Sequence, residues 1–251
     1  MTIELPTAGC LPELGQLWKE AVGDTDAFLD SFFATAFSPR RCRCALEDGR
    51  VAAALYWFDC LWEGRKVAYL YGVATAKAYR GRGLCHALME QTHRELAALD
   101  YAGAVLVPGE ESLFRFYESM GYEVCGFTAS LSCEAAQEAA GLRQVDAAEY
   151  ARLRRKLLPP GGVVQEGENL TFLQTHAQLY AGEGFVVAAT EEEGNLRGQE
   201  LLGDVAAAPG IVRALGCARG DFRIPGREKA FAMYRSLDGS GMPAYFGLAF
   251  D

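Results

Sequence analysis

The chain has 251 residues, 50% of them hydrophobic, with 33 acidic against 24 basic side chains and a formal charge of −9. That composition excludes fibrous, disordered and coiled-coil classes, and its acidity argues against nucleic acid as a main partner, since such binding needs a basic face. It is compatible with a cationic partner such as an amine.

No apolar run reaches the roughly 20 residues of a membrane span. The opening Met1-Thr2-Ile3-Glu4-Leu5-Pro6 has neither a basic nor an apolar leader region, so a soluble, cytoplasmic chain of one large or two modest domains is expected, with no membrane partner. Eight cysteines without an export signal fit a reducing compartment. Cys42 and Cys44 alternate with arginines as on a strand. No CxxC exists and His86, His93 and His176 have no zinc-ligand spacing, so no metal is expected.

Taken in order, Pro12–Val22 and Thr25–Phe37 have the apolar spacing of two helices. Strands are predicted over Arg43–Glu47, Val51–Cys60 and Lys66–Ala74, with tight turns at Asp48-Gly49 and around Gly64. A helix opens after Arg80-Gly81-Arg82-Gly83 and runs to about Ala98, with Leu84, Leu88, Thr92 and Leu96 on one face and Glu90, His93 and Arg94 turned elsewhere. A strand at Ala104–Val107, a helix at Ser112–Met120 and a strand from Tyr122 complete an α/β core.

Beyond about Ala140 the sequence predicts helices at Asp146–Leu157, Asn169–Tyr180 and Pro209–Leu215, and strands at Phe185–Ala189 and Leu196–Leu202. Ala230–Leu237 and Ala244–Phe250 flank Asp238-Gly239-Ser240-Gly241, which suggests a closing hairpin. The element order loosely echoes the first half, as a degenerate repeat would.

The stretch that points to chemistry is Tyr71-Gly72-Val73-Ala74-Thr75, followed by Tyr79-Arg80-Gly81-Arg82-Gly83-Leu84-Cys85-His86. A strand ends and small residues lead the backbone into a helix. The free N–H groups of a helix N-terminus, close backbone approach at Gly81 and Gly83, and two guanidinium groups together make a phosphate cradle. The spacing is neither the three-glycine dinucleotide fingerprint nor GxxxxGK[ST].

This segment resembles the coenzyme A signature of the GNAT (Gcn5-related) N-acetyltransferases, R/Q-x-x-G-x-G/A, with Arg80, Gly83 and Cys85 on its fixed positions. Cys85 departs from the usual Gly or Ala there, but it contributes a backbone N–H. Tyr117, four residues before Gly121, is similar to the family's Tyr-x-x-x-Gly-Phe/Tyr. The resemblance covers Cys42 to about Cys133. It implies an α/β (α+β) GNAT fold, a mixed and mostly antiparallel sheet flanked by helices, with residues 1–135 as the acetyltransferase domain. Residues 136–251 would be a smaller α+β domain, degenerate GNAT-like or lipid-carrier-like.

It further implies acetyl-coenzyme A as cosubstrate, with Arg80, Gly81, Arg82, Gly83, Cys85 and Ser112 around it and Val73 and Thr75 at the pantetheine and acetyl group. Tyr117 would protonate the departing thiolate. Tyr-Gly-Val-Ala-Thr with Tyr-Arg-Gly-x-Gly and the attached second half resembles the two-domain enhanced-intracellular-survival branch, where the terminal carboxylate is the base, a role that would fall to Asp251.

The strand Lys66–Ala74 has no carboxylate, so Asp59, Glu200 and Asp204 stand beside Asp251 as candidate bases. Tyr56, Trp57, Trp62 and Tyr71 are candidates to line an acceptor pocket by cation–π contact. Cys85 and His86, adjacent on a helix, point about 100 degrees apart and make no dyad; the thiol's place at a helix N-terminus predicts a lowered pKa. The function expected is acetyl transfer to a small-molecule or peptide amine by direct attack, the chain acting alone or as a homo-oligomer. The alternatives are a non-catalytic coenzyme A-binding regulatory module and an interaction protein without a ligand.

Overall fold

The structure is a computed structural model and describes residues 1–250. Its first half runs β1 (Thr2–Glu4), α1 (Leu11–Ala21), α2 (Asp26–Thr35), β2 (Cys42–Glu47), β3 (Arg50–Trp62), β4 (Arg65–Thr75), α3 (Leu84–Ala98), β5 (Tyr101–Leu106), α4 (Ser112–Glu118) and β6 (Glu123–Glu134). Pro12 sits in the first turn of α1, and Leu14, Leu17 and Trp18 recur at helical spacing as its buried stripe. Thr25 caps α2 by accepting the Phe28 N–H at 3.2 Å. Asp48-Gly49 and Glu63-Gly64 both take positive φ, as two-residue hairpins require.

The second half runs β7 (Leu142–Gln144), α5 (Ala147–Leu157), α6 (Glu168–Leu173), β8 (Gln178–Gly182), β9 (Phe185–Glu192), β10 (Asn195–Gly203), α7 (Ala208–Ala214), β11 (Arg219–Pro225) and β12 (Lys229–Ser236). Two expectations fail here. The stretch 169–180 is not one helix: α6 stops at Leu173, and 178–182 pairs with β9. The closing hairpin is absent as well. Residues 244–250 make no ladder, only an isolated bridge from Tyr245 to Gly162.

All strands join one sheet of 12 in the order β1-β2-β3-β4-β5-β12-β6-β11-β10-β9-β8-β7. It is antiparallel except at β4–β5 and β10–β11. The order is a palindrome about the β12–β6 pair, and each half repeats the other's succession of strands and helices up to β5 and β11, after which α4 has no counterpart. The last strands are exchanged: β6 pairs with β11, and β12 pairs with β5. The division at 135/136 is therefore no break in the sheet, because a strand from the second half sits between two from the first.

Helices α1, α2, α5 and α6 cover one face around a single core that includes Trp18, Phe32, Tyr150 and Phe172. On the other face, α3 and α4 cover the first half (Leu88, Leu96, Tyr117) and α7 the second (Ile211, Val212). Among the described residues, no helix is long and apolar enough to cross a membrane.

Candidate functional site

β4 and β5 pair in parallel only from Lys66↔Tyr101 to Tyr69↔Val105 and then part, β4 continuing along β3. A bulge marks the place. Tyr71 opposes Tyr56 and Ala74 opposes Ala54, three steps on β4 against two on β3. Gly72 sits in it at φ +59°, where a Cβ would lie 2.8 Å from the Trp18 ring. The bulge turns Val73 to the α3 side while Tyr71 and Ala74 pack on the α1 side. The backbone edge of Val73 toward β5 thus lacks a strand partner and faces the opened wedge.

At the end of β4 the chain makes one 3-10 turn (Lys77–Tyr79) and enters α3 through Gly81 and Gly83, both at φ +74° with open space where a Cβ would go. Among the described residues no side chain caps α3, and its first internal bond is Ala87 N–H to Gly83 O at 3.0 Å. The N–H groups of Leu84, Cys85 and His86 are therefore free of helical acceptors, at the positive end of the helix dipole. Arg80 is tied to the end of β4, its Nε donating to the Thr75 carbonyl at 3.0 Å. These features fit a pyrophosphate: uncovered N–H donors, room for close approach and one tethered guanidinium. Arg82 instead lies over the Tyr79 ring at 5.6 Å, outside the cleft lining.

Tyr117 reaches the same cleft from α4 and is 7% exposed. Burial, and then the neighbouring Cys85, raise its pKa above the ordinary phenol value, so the hydroxyl stays protonated through the neutral range. Burial also pushes the Cys85 thiol up to about 11, with the Thr75 hydroxyl working weakly against it. The thiol is thus raised where its place at the helix N-terminus predicted a lowered value, because burial penalises the thiolate.

Behind Tyr117, Tyr122 packs edge-on to it at 5.7 Å and its hydroxyl meets His93 Nε2 at 2.7 Å. Arg235 of β12 donates to His93 Nδ1 at 2.9 Å, which leaves the proton on Nε2. Burial and then Arg235 pull the His93 pKa down to about 4. His93, expected to point away from the core, is 2% exposed.

The other expected residues are dispersed. Ser112 Oγ donates to Glu110 Oε1 at 2.5 Å and does not line the cleft. Asp59 is engaged by Tyr101 and by Arg41 Nη1 at 3.3 Å, at the closed end of the β4–β5 pair. Glu200 is fully buried in an ion pair with Arg154, and Asp204 caps the turn before α7 by accepting the Ala206 N–H at 3.0 Å. None of these three is placed to take a proton from a cleft ligand.

Of the four aromatics, Tyr71 lines the cleft. Tyr56 is buried behind Trp18, Trp57 faces the α3 side, and Trp62 packs on Tyr234. Asp251 lies outside the described residues. The preceding Phe250 lines the cleft, with its carbonyl accepting the Tyr71 hydroxyl at 2.9 Å.

The cleft spans about 2770 Å³, well above the roughly 300–1,000 Å³ of a site for one small ligand. One wall is the cradle, the wedge and Tyr117. Further lining comes from the second half, with Glu192, Glu193, Asp221 and Glu228 interspersed with Arg197, Arg223 and Lys229. No single stretch of sequence reveals this lining, because three separate turns and strands build it.

Residues 2–125 match the Acetyltransferase (GNAT) domain family. No curated protein matches the chain in sequence. Among solved structures, the fold is similar to the GCN5-related N-acetyltransferase from Kribbella flavida (TM-score 0.70, 18% identity, 94% of this chain and 72% of that one). It is also similar to that from Anabaena variabilis (0.75, 14%, 94% and 72%) and to Eis1 from Mycobacterium abscessus (0.67, 12%, 95% and 74%). These likenesses extend over both halves of the chain.

Proposed function

We propose that this chain, whose residues 2–125 belong to the GNAT acetyltransferase family, moves the acetyl group of acetyl-coenzyme A to a primary amine by direct attack in a ternary complex. The observation that carries this reading is the convergence of three groups on one cleft. They are the uncapped, glycine-flanked N-terminus of α3, the unpaired edge of β4 at Val73, and the protonated Tyr117 hydroxyl.

Arg80 and the N–H groups of Leu84 to His86 hold the pyrophosphate, and Thr75 borders the path from there to the wedge. Val73 offers backbone bonds to the pantetheine arm and to the acetyl carbonyl oxygen as it gathers negative charge. The acceptor, a small molecule or a peptide, enters beside second-half residues in which Glu192, Glu193, Asp221 and Glu228 alternate with Arg197, Arg223 and Lys229. Asp251, which follows the Tyr71-held Phe250, accepts the proton that the ammonium must lose. The amine nitrogen then forms its bond to the carbonyl carbon as the carbon–sulfur bond breaks, Tyr117 donates its hydroxyl proton to the leaving sulfur, and the second proton lost by the nitrogen as it becomes the amide restores the phenol.

The test follows free thiol release from acetyl-coenzyme A across a panel of a polyamine, an aminoglycoside and a lysine-containing peptide with a free N-terminus. Amine-dependent release is expected from the wild type, with no release before amine is added. Tyr117→Phe should lower kcat about 100-fold or more and leave the acetyl-coenzyme A KM nearly unchanged. Tight binding of acetyl-coenzyme A without release on any amine would replace this reading with that of a regulatory module.

A further inference from the structure

The second half carries a wedge of its own. β10 and β11 pair in parallel from Asn195↔Arg219 to Gly198↔Phe222 and then part, β10 continuing on β9 and β11 on β6. A bulge sits here too, with Gly198 and Glu200 opposing the neighbours Ala189 and Ala188. Where the first wedge opens onto the cleft, this one is plugged by charge. Glu200, fully buried, accepts from Arg154 Nε at 2.5 Å and Nη2 at 2.9 Å, and from the Tyr245 hydroxyl at 3.0 Å.

Tyr245 lies near the start of a strap, residues 244–250, that crosses from the second wedge to the first without joining the sheet. It is pinned along its length. Its Tyr245 carbonyl accepts from Val163 N–H at 2.9 Å, its Leu248 carbonyl from Gln165 Nε2 at 2.9 Å, and its Phe250 carbonyl from the Tyr71 hydroxyl at 2.9 Å. At Gly247 the strap passes so near the plug that a Cβ would lie 2.9 Å from Glu200 Oε1. Its far end sets the Phe250 ring 5.5 Å from Tyr69 and 5.7 Å from Tyr71, in the wall of the cleft.

We propose that Glu200, held by Arg154, is a positioning residue for the acceptor side of the first site: through Tyr245 it fixes the strap so that Phe250 forms a constant wall against which the amine is placed. The inference rests on the acetyl-transfer reading above. A buried ion pair is a poor source of stability, since well-packed apolar groups often replace it at no loss. What it supplies here is direction. One carboxylate oxygen shared by a guanidinium and a phenol defines where the ring of Tyr245 must sit, which apolar packing alone would leave free to slide.

The experiment uses Tyr245→Phe, which keeps the ring and removes only the bond to Glu200, with Glu200→Gln as the second variant. Amine KM, acetyl-coenzyme A KM and hydrogen exchange over residues 246–250 are measured for each. The amine KM should rise about 10-fold, with the acetyl-coenzyme A KM within about twofold and faster exchange in the strap. An unchanged amine KM in Tyr245→Phe overturns the proposal, since a merely structural role would shift thermal stability without separating the two KM values. If the wild type acetylates no amine, the acetyl-transfer reading fails by itself. Exchange then still decides the anchoring, which unchanged rates overturn and faster rates sustain.

Discussion

At the start of α3 the chain places Gly81 and Gly83 with nothing where their side chains would be, and just before them an arginine tethered to the Thr75 carbonyl. At the matching start of α7 it places Asp204 and Pro209, a carboxylate already bonded to one N–H and a ring that has none to give. Between β5 and β6 stands α4 with Tyr117; between β11 and β12 there are only residues 226–228. Both halves keep the parted parallel strands and the bulge. The wedge is thus a property of the sheet topology, and its contents decide what it does. In one half it faces a cleft lined by donors, and in the other it encloses an ion pair and the root of a strap.

That contrast can be tested by substitutions whose effects should fall on different observables. The largest concerns the plug. Arg154→Met strands a buried carboxylate and should cost about 3–5 kcal/mol in chemical denaturation, most of it recovered by adding Glu200→Leu. If the single variant were as stable as the wild type, the second wedge would not be the sealed interior described. Next is the cradle. Arg80→Glu should weaken acetyl-coenzyme A binding by calorimetry about 30-fold, roughly 2 kcal/mol, with thermal stability almost unchanged. Smallest is the start of α7, where Asp204→Ala should cost about 1 kcal/mol of stability. Its acetyl-coenzyme A affinity should equal that of the wild type, and a loss there would break the assignment of the coenzyme A cradle to the first half alone.

The cradle was legible in the sequence because its signals are local: two glycines, an arginine and a strand-to-helix change within a few residues. Tyr117 was legible for the same reason. Arg82 and Ser112 were not separable from their neighbours in that way, since a stack on Tyr79 and a bond to Glu110 depend on rotamers that spacing does not encode. The repeat was visible as an echo of element order, but the exchange of β6 and β12 was not. Alternation marks a residue run as a strand without naming its partner, and Met233 finds Leu106 across more than half the chain. The segment 244–250 reads as a strand for a related reason. Its apolar residues are buried as a strand's would be, yet they are buried by crossing the sheet face instead of joining it.

The exchanged strand also sets a timetable for synthesis. The cradle, the wedge and Tyr117 are all made before residue 120, yet β12, which separates β5 from β6, follows the end of β6 by roughly 95 residues. At about 5–20 residues per second, the nascent chain would carry two open strand edges for about 5–20 s before the missing ladder arrives. The high sequence separation of those pairings favours slow folding. A ribosome-bound chain stopped near residue 135 would accordingly hold every residue of the cradle with its sheet still open beside β5, a state in which chaperone capture competes with folding.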